Sequence, residues 1–392
     1  MTDTAAPRQR LLILSFSPIA SDARVLKQVA EFSGRYDVVT CGYGEPPAGV
    51  SLHLRVPDDR RIDDLNGRLI TLRLYGRAYE ALSAVKWARE ALSGAEFDAV
   101  LANDVEAVPI ALGLRARNGV HADLHEYSPR LHEEIPAWRK RIKPYYDWLC
   151  RRYVAKAASW STVGEGLARE YEREFRFRPA VVTNAAPYAE VAPQAVGDHV
   201  RLVHSGACLR NRNLMALIEG VDAADGAATL DLFLTPNDPG YLRELADRAA
   251  SSRSVTVRDA VPYDRLVSTL NGFDVGVHIL PPVNFNNEWA LPNKLFDYVQ
   301  ARLGVIVGPS AEMAAYVRDF RLGSVTEDFS ARALSAVVSE LEPDAVAEWK
   351  QAAHASAREL SAEAQVAIWA QCVDGLMRGM PVRLPLDDGG DR

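Results

Sequence analysis

Unbroken apolar runs alternate with 3.6-residue apolar periods along most of this chain. Leu11 to Phe16 is one such run, and continuous apolarity suits a parallel strand covered on both faces. Asp22 to Phe32 then puts Val25, Leu26, Val29 and Phe32 on one helical face, with Ser21 or Asp22 as N-cap. Tyr36 to Thr40 reads as the next strand, so residues 10–42 make a β-α-β unit. The pattern recurs as a strand at Ala99 to Ala102, a helix through Ile110 to Arg115, and a strand at His121 to Leu124. Ser159 to Val163 and Ala180 to Thr183 are further short strands.

A second series opens after Asn184-Ala-Ala-Pro187 and a Pro- and Ala-rich stretch. Strands are expected at Val200 to His204, Leu230 to Leu234, Val255 to Val257, Val275 to Leu280 and Gly304 to Gly308. Helices are expected at Leu214 to Val221, Leu242 to Ala250, Tyr263 to Leu270 and Lys294 to Ala301, and then at Ala333 to Leu341 and Ala345 to Met377. The fold class is therefore α/β: two doubly wound, Rossmann-like domains facing across a cleft, with C-terminal helices. The expected divisions are 1–184, 185–360, a helix at 361–380 packing back on the first domain, and a frayed tail at 381–392.

A length of 392 residues agrees with two domains, and 48% apolar with 25% charged residues is the balance of a globular protein. The net charge of −7 argues against a nucleic-acid binder. Its distribution is uneven. Residues 1–190 carry 27 Lys/Arg and 25 Asp/Glu, and residues 191–392 carry 18 and 27. Cys41, Cys150, Cys208 and Cys372 are scattered, which fits a reducing cytoplasm and neither a zinc site nor a disulfide framework. No run approaches the roughly 20 apolar residues of a spanning helix. The basic start followed by Leu11 to Phe16 reads as a first strand rather than a signal peptide.

Ligands of open parallel sheets bind beyond the carboxyl ends of the strands, which directs attention to the segments that follow them. In Leu291-Pro-Asn-Lys-Leu-Phe-Asp-Tyr298, Asn293 and Lys294 open a helix, where free N–H groups and the dipole favour an anion. Asp297, one turn on, is placed to accept from ribose hydroxyls; the bland alternative is a capping Asn293 with solvated Lys294 and Asp297. Asn103 and Asp104 follow a strand and are candidates for acceptor contact. His125 follows another, and Glu126 is placed to orient or charge its imidazole. Asp22 reads as a cap and Arg24 as an exposed or interdomain residue. Arg130 to Lys156 holds eight Lys/Arg against three acids, interleaved with Trp138, Tyr145, Tyr146, Trp148 and Tyr153. It reads equally as a membrane-surface segment or anionic-acceptor groove and as a helix with aromatics inside and bases outside.

LPNKLFDYVQARLGVIV resembles the C-terminal signature of retaining glycosyltransferases of family four, which have the two-domain GT-B fold. SPIASDARVLKQVAEFSGRYDVVT, ANDVEAVPIALGLRARNGVHADLHEYSP, VVTNAAPY, RLVHSGACLRNRNLMALIEGV and VTVRDAVPYDRLVSTLNGFDVGVHIL resemble further family segments in the family's order. The resemblance implies that Asp297 binds the donor ribose and that Arg212, in the loop after Gly206, holds the diphosphate with Lys294 and Arg210. It implies that the loop Asp259 to Tyr263, with Pro262, meets the nucleobase and that His125 lies near the anomeric centre. Catalytic roles fall on His125, Arg212 and Lys294. Donor binding falls on Gly206, Arg210, Arg212, Pro262, Asn293, Lys294 and Asp297, and acceptor contacts on Ser17, Asn103, Asp104 and Glu126. Three positions depart from the family. Trp289 stands at the first acid of E-x7-E, with Glu288 beside it; Ala207 replaces an arginine; and Ser15, Ser17 and Ser21 replace a glycine-rich turn.

The implied activity is transfer of a sugar from a nucleotide-diphosphate sugar to an acceptor hydroxyl, with retention and without metal or cofactor, in surface polysaccharide or glycolipid assembly. The alternatives are a non-catalytic nucleotide-sugar-binding partner of another transferase, a natural-product glycosyltransferase and an epimerase. The acceptor is expected to be a glycan, glycolipid or small molecule. The location is expected to be cytoplasmic, with peripheral attachment to the inner face of the plasma membrane through Arg130 to Lys156.

Overall fold

The computed structural model describes residues 8–379; the tail expected to fray, 381–392, lies outside them. The chain divides into two units, 8–182 with 366–379, and 183–365. The first holds β1 (Arg10–Pro18), β2 (Asp37–Tyr43), β3 (Leu52–Arg55), β4 (Ala99–Asn103), β5 (Val120–Leu124), β6 (Ser159–Thr162) and β7 (Ala180–Val181), in the order β3-β2-β1-β4-β5-β6-β7. The second holds β8 (Val200–Ala207), β9 (Ala228–Thr235), β10 (Val255–Asp259), β11 (Val275–His278), β12 (Gly304–Val307) and β13 (Gly323–Val325), ordered β10-β9-β8-β11-β12-β13. Every pairing is parallel. Parallel neighbours need crossovers, and helices supply them except between β2 and β3, which a loop over residues 44–51 joins. Strand order reverses between β1 and β4 in one sheet and between β8 and β11 in the other, which opens a crevice at those strand ends.

In the first unit, β4 and β5 are buried along their whole length, β5 with His121 and Asp123 among its apolar residues. Asp22 caps the helix Ala23–Ser33, accepting from the N–H groups of Arg24 at 3.0 Å and Val25 at 3.2 Å. That helix buries Val25, Val29 and Phe32, and also Arg24 and Gln28. Arg24 is therefore not exposed; it is buried beside Asp123.

In the second unit, the helix Asn293–Gln300 lies so close to β11 that a Cβ at Gly276 would stand 2.3 Å from the Tyr298 ring. This contact seats the helix and brings its first turn to the strand ends. The single helix expected over Ala345 to Met377 is two, Pro343–Ser356 and Ala362–Met377. Gln300 stabilises the break, its Nε2 donating to the carbonyls of Ala357 at 2.7 Å and Leu360 at 3.3 Å. Beyond Gln365 the last helix packs in the first unit's core, with Trp369, Val373 and Leu376 buried among Leu11, Ile13 and Val25.

Candidate functional site

Each unit gathers polar side chains where its strand order reverses. In the first unit the centre is Asp123, fully buried near the end of β5. Arg24 meets it with two hydrogen bonds, Nε at 2.8 Å and Nη2 at 2.6 Å. Gln28 Nε2 donates to it at 2.7 Å, Ser161 Oγ at 2.5 Å, and Trp369 Nε1 at 3.4 Å. The indole face also lies 4.6 Å from the Arg24 guanidinium, a cation–π contact. Burial favours a protonated Asp123, but the Arg24 charge and the bonds from His125 and Arg24 outweigh it and hold the carboxyl well below the usual range.

His125 sits among acceptors. Its Nε2 is 3.1 Å from Asn103 Oδ1 and 3.3 Å from Asp123 Oδ2, and its Nδ1 is 3.4 Å from Asp104 Oδ2. The Asn103 amide is fixed by a reciprocal pair with Gln28, at 2.9 and 3.0 Å, so its oxygen is the atom facing the imidazole. Both ring nitrogens therefore have oxygen partners, and both are satisfied only when each carries a proton. Burial opposes that charge, yet Asp104 and Asp123 overcome it and raise the His125 pKa. Asp104 reaches the ring from a left-handed backbone, φ +63°, a conformation Asp tolerates.

The carboxylates that charge His125 are thus Asp104 and Asp123. Glu126, expected in that role, is exposed, and its carbonyl accepts from Tyr171 Oη at 2.7 Å. Asn103, expected to meet an acceptor, is 1% exposed and spent on Gln28 and His125. Ser17 shares a 2.8 Å hydrogen bond with Ser15. Nearby Glu106, not singled out in the sequence, has its pKa raised to about 7 by burial and by Asp104.

In the second unit Gly206, φ +146°, is the last residue but one of β8, and a Cβ there would lie 2.4 Å from Lys294 Nζ. Glycine is what lets the ammonium rest on this strand end. Lys294 is in the first turn of Asn293–Gln300; Pro292, not Asn293, is the N-cap, and Asn293 is exposed. Burial and the neighbouring Arg212 lower the Lys294 pKa to about 8, against the opposite pull of Asp297. Neither Lys294 nor Arg212 has an ion-pair partner within 4.0 Å among the described residues.

Two buried histidines lie on adjacent strands, His204 within β8 and His278 at the end of β11, with ring centroids 5.6 Å apart. His204 Nδ1 donates to the Val277 carbonyl at 2.8 Å, and burial with Lys294 and Arg212 lowers its pKa to about 3. The same causes, with His204, keep His278 neutral, and neither of its ring nitrogens has a hydrogen-bond partner among the described residues. Asp297 is 5% exposed on the helix that carries Lys294. Its charge reaches Tyr263, next to the exposed Pro262 that caps the helix Tyr263–Leu270.

Arg210 does not join this cation pair. It is bound to Glu244 through Nη1 at 2.9 Å and Nη2 at 2.5 Å, and lies over the Tyr241 ring. Glu288, beside Trp289, is exposed at the end of the short helix Phe285–Glu288. Sequence reading missed Arg24, Gln28, Asp123, His204 and His278 as members of these clusters. Their one signal was placement: Asp123, His204 and His278 lie in the C-terminal halves of strands, two of them just before segments already under scrutiny.

The second cluster sets two cations, with no acid within 4.0 Å among the described residues, at a helix N-terminus beside Gly206, an arrangement suited to an anion. Two parallel sheets with their polar clusters at the strand-order reversals define the GT-B fold of glycosyltransferase structures. One such structure is WaaG, a glycosyltransferase involved in lipopolysaccharide biosynthesis, with TM-score 0.64 at 12% identity over 93% of this chain and 100% of that one. An alpha,alpha-trehalose-phosphate synthase (UDP-forming) from Burkholderia vietnamiensis matches with TM-score 0.67 at 10% identity, covering 94% of this chain and 100% of that one. Anabaena HepE in complex with UDP and glucose matches with TM-score 0.62 at 12% identity, covering 94% and 100%. No family model and no curated protein matches the sequence.

Proposed function

We propose that the chain is a glycosyltransferase that moves a sugar from a nucleoside-diphosphate sugar to an acceptor hydroxyl. The observation that carries this reading is the uncompensated Arg212–Lys294 pair at the N-terminus of Asn293–Gln300, resting on Gly206. Two positive side chains and a helix dipole match a diphosphate, and they match it best as it departs with its charge increased. Asp297 and the Pro262–Tyr263 corner are proposed to take the ribose and the base. Like the structures bound to UDP and UDP-glucose, it is proposed to use a UDP sugar.

The proposed reaction retains anomeric configuration. The acceptor oxygen bonds to the anomeric carbon, the bond from that carbon to the diphosphate oxygen breaks, and the acceptor proton goes to the departing phosphate. Arg212 and Lys294 supply the charge a divalent cation would otherwise bring, so no metal is proposed. The first unit is proposed to bind the acceptor, with His125 acting as a fixed cation rather than a base because both its nitrogens face oxygen acceptors. Surface polysaccharide or glycolipid assembly in the cytoplasm is the proposed setting.

A second reading has specific support. Trp289, Ala207 and the Arg210–Glu244 pair each remove a charged group from the expected donor set, which suits a partner that binds a nucleotide sugar without turning it over. Melting curves with UDP, GDP, ADP and dTDP sugars test the common part: the preferred donor raises the melting temperature, and the rise is lost in Lys294→Ala. Slow release of free sugar from that donor then supports transfer; its complete absence supports the binding partner. No shift with any nucleotide sugar would remove both.

A further inference from the structure

Six large apolar side chains are exposed among the described residues: Leu52, Leu72, Leu74, Ile135, Tyr263 and Val283. Three belong to one face of the first unit. The short helix Gly67–Thr71 ends at a left-handed Arg73, φ +55°, and this turn leaves Leu72 67% and Leu74 39% exposed. Ile135, 48% exposed, opens the helix Pro136–Arg141. Arg141 ties the two segments together, its Nη2 donating to Thr71 Oγ1 at 3.1 Å and the Gly67 carbonyl at 3.4 Å. Between them runs an open groove of about 810 Å³, lined by Asp64, Asn66, Arg68, Thr71, Leu72 and Arg141.

The exposed acids of these segments are Asp63, which pairs with Arg61, Asp64, and Glu134, which lies 3.8 Å from His132; the cations outnumber them. Arg68, Arg73, Arg139, Lys140 and Arg141 are exposed, and none has an ion-pair partner within 4.0 Å among the described residues. Neighbouring cations do have one: Arg61 pairs with Asp63, Arg89 with Glu80, and Lys143 with Asp147. Most aromatic residues of the basic segment pack on one another, and Trp138, half-buried on the same short helix as Arg139 and Lys140, rests against His132 and Tyr146. Tyr145 is buried, and Trp148 packs against Tyr75, Tyr145 and Tyr153.

We propose that this face docks on a bilayer of anionic lipids, with Leu72 and Leu74 entering the headgroup boundary and Arg68, Arg73, Arg139 and Lys140 at the level of the phosphates. Unpaired cations around exposed leucines are what such a surface selects, because charge brings the protein in and apolar contact retains it. The proposal moves the membrane contact away from the aromatics and onto Gly67 to Leu74, which the sequence did not single out. It stands apart from the donor-site reading, since partition onto lipid needs no nucleotide.

The test is co-sedimentation of the full chain with phosphatidylcholine vesicles, neutral or containing a third phosphatidylglycerol. The expected result is binding at least about tenfold stronger to the anionic vesicles, falling as salt is added. R68E/R73E/R139E/K140E is expected to lose binding by on the order of 100-fold. Arg→Lys at the three arginines is expected to retain it. Leu72→Ser with Leu74→Ser is expected to bind at low salt and wash off as salt rises. Melting curves with nucleotide sugar, run on each variant, should match the native chain and so separate loss of docking from loss of fold or donor site. Equal binding to both vesicle types, no binding at low salt, or native binding by the Glu variant would overturn the proposal.

Discussion

The two strand-end clusters occupy equivalent places in their sheets and are built on opposite principles. Around Asp123 the charges are matched: one carboxylate takes Arg24, Gln28, Ser161 and Trp369, and the adjacent imidazole is held by Asn103, Asp104 and Asp123. Around Lys294 they are not: two cations lie together near neutral histidines, one of them with both nitrogens unused. A buried network with its bonds made is rigid and stabilises its unit only while complete. A cluster of like charges costs stability until an anion arrives. The first has its charges satisfied within the unit; the second leaves two like charges side by side.

Asp123→Ala should break the comparison most severely. It strands the Arg24 guanidinium in a dry interior, and removing one partner of a buried pair costs about 3–5 kcal/mol. Denaturant unfolding should show the first unit destabilised by that order. Lys294→Ala should do the reverse. Folding already disfavours its charge, so the melting temperature should hold or rise, while calorimetry should show UDP affinity falling on the order of 100-fold.

A finer contrast lies in pH. Lys294 is charged below about 8 in the free protein, and a bound anion favours the charged form. UDP affinity should therefore be level below that pH and decline above it, with one proton taken up on binding. His125 is shifted the other way, and its charge acts on stability. Its pKa is raised, so its stabilising charge is complete below the ordinary histidine range and fades as pH rises through the higher folded value. Arg210→Ala should give the smallest effect, less than about twofold in UDP affinity, because its exposed charge is already committed to Glu244.

The sheets were largely legible because their central strands are short and mostly apolar; β1, β4, β5, β8, β11 and β12 all lie where the pattern put them. β3 and β13 were missed. Leu52–Arg55 is a half-exposed edge strand of four residues and Gly323–Val325 has only three, too short to establish a period. The break at residues 357–361 was hidden because both flanking helices are amphipathic in the same way and the group that stabilises it, Gln300, is distant in sequence. Distance also explains the clusters. Arg24 looked like a surface charge because its partner is 99 positions away. Lys294 was visible because a helix start, a lysine and an acid one turn on are local. The seclusion of Arg210 by Glu244 depended on a contact 34 positions away.

Trp369 gives the Asp123 network an order in time. Its indole N–H donates both to Asp123 and, at 3.2 Å, to Ser161, and its face covers Arg24. During synthesis the ribosome must finish the whole of residues 183–365 before this side chain emerges. The unit that starts first is thus sealed last, after the contiguous one has had all its own residues. A chain cut short in its final helix leaves an ion pair without its lid, and such a product displays its own incompleteness to the cell's proteases.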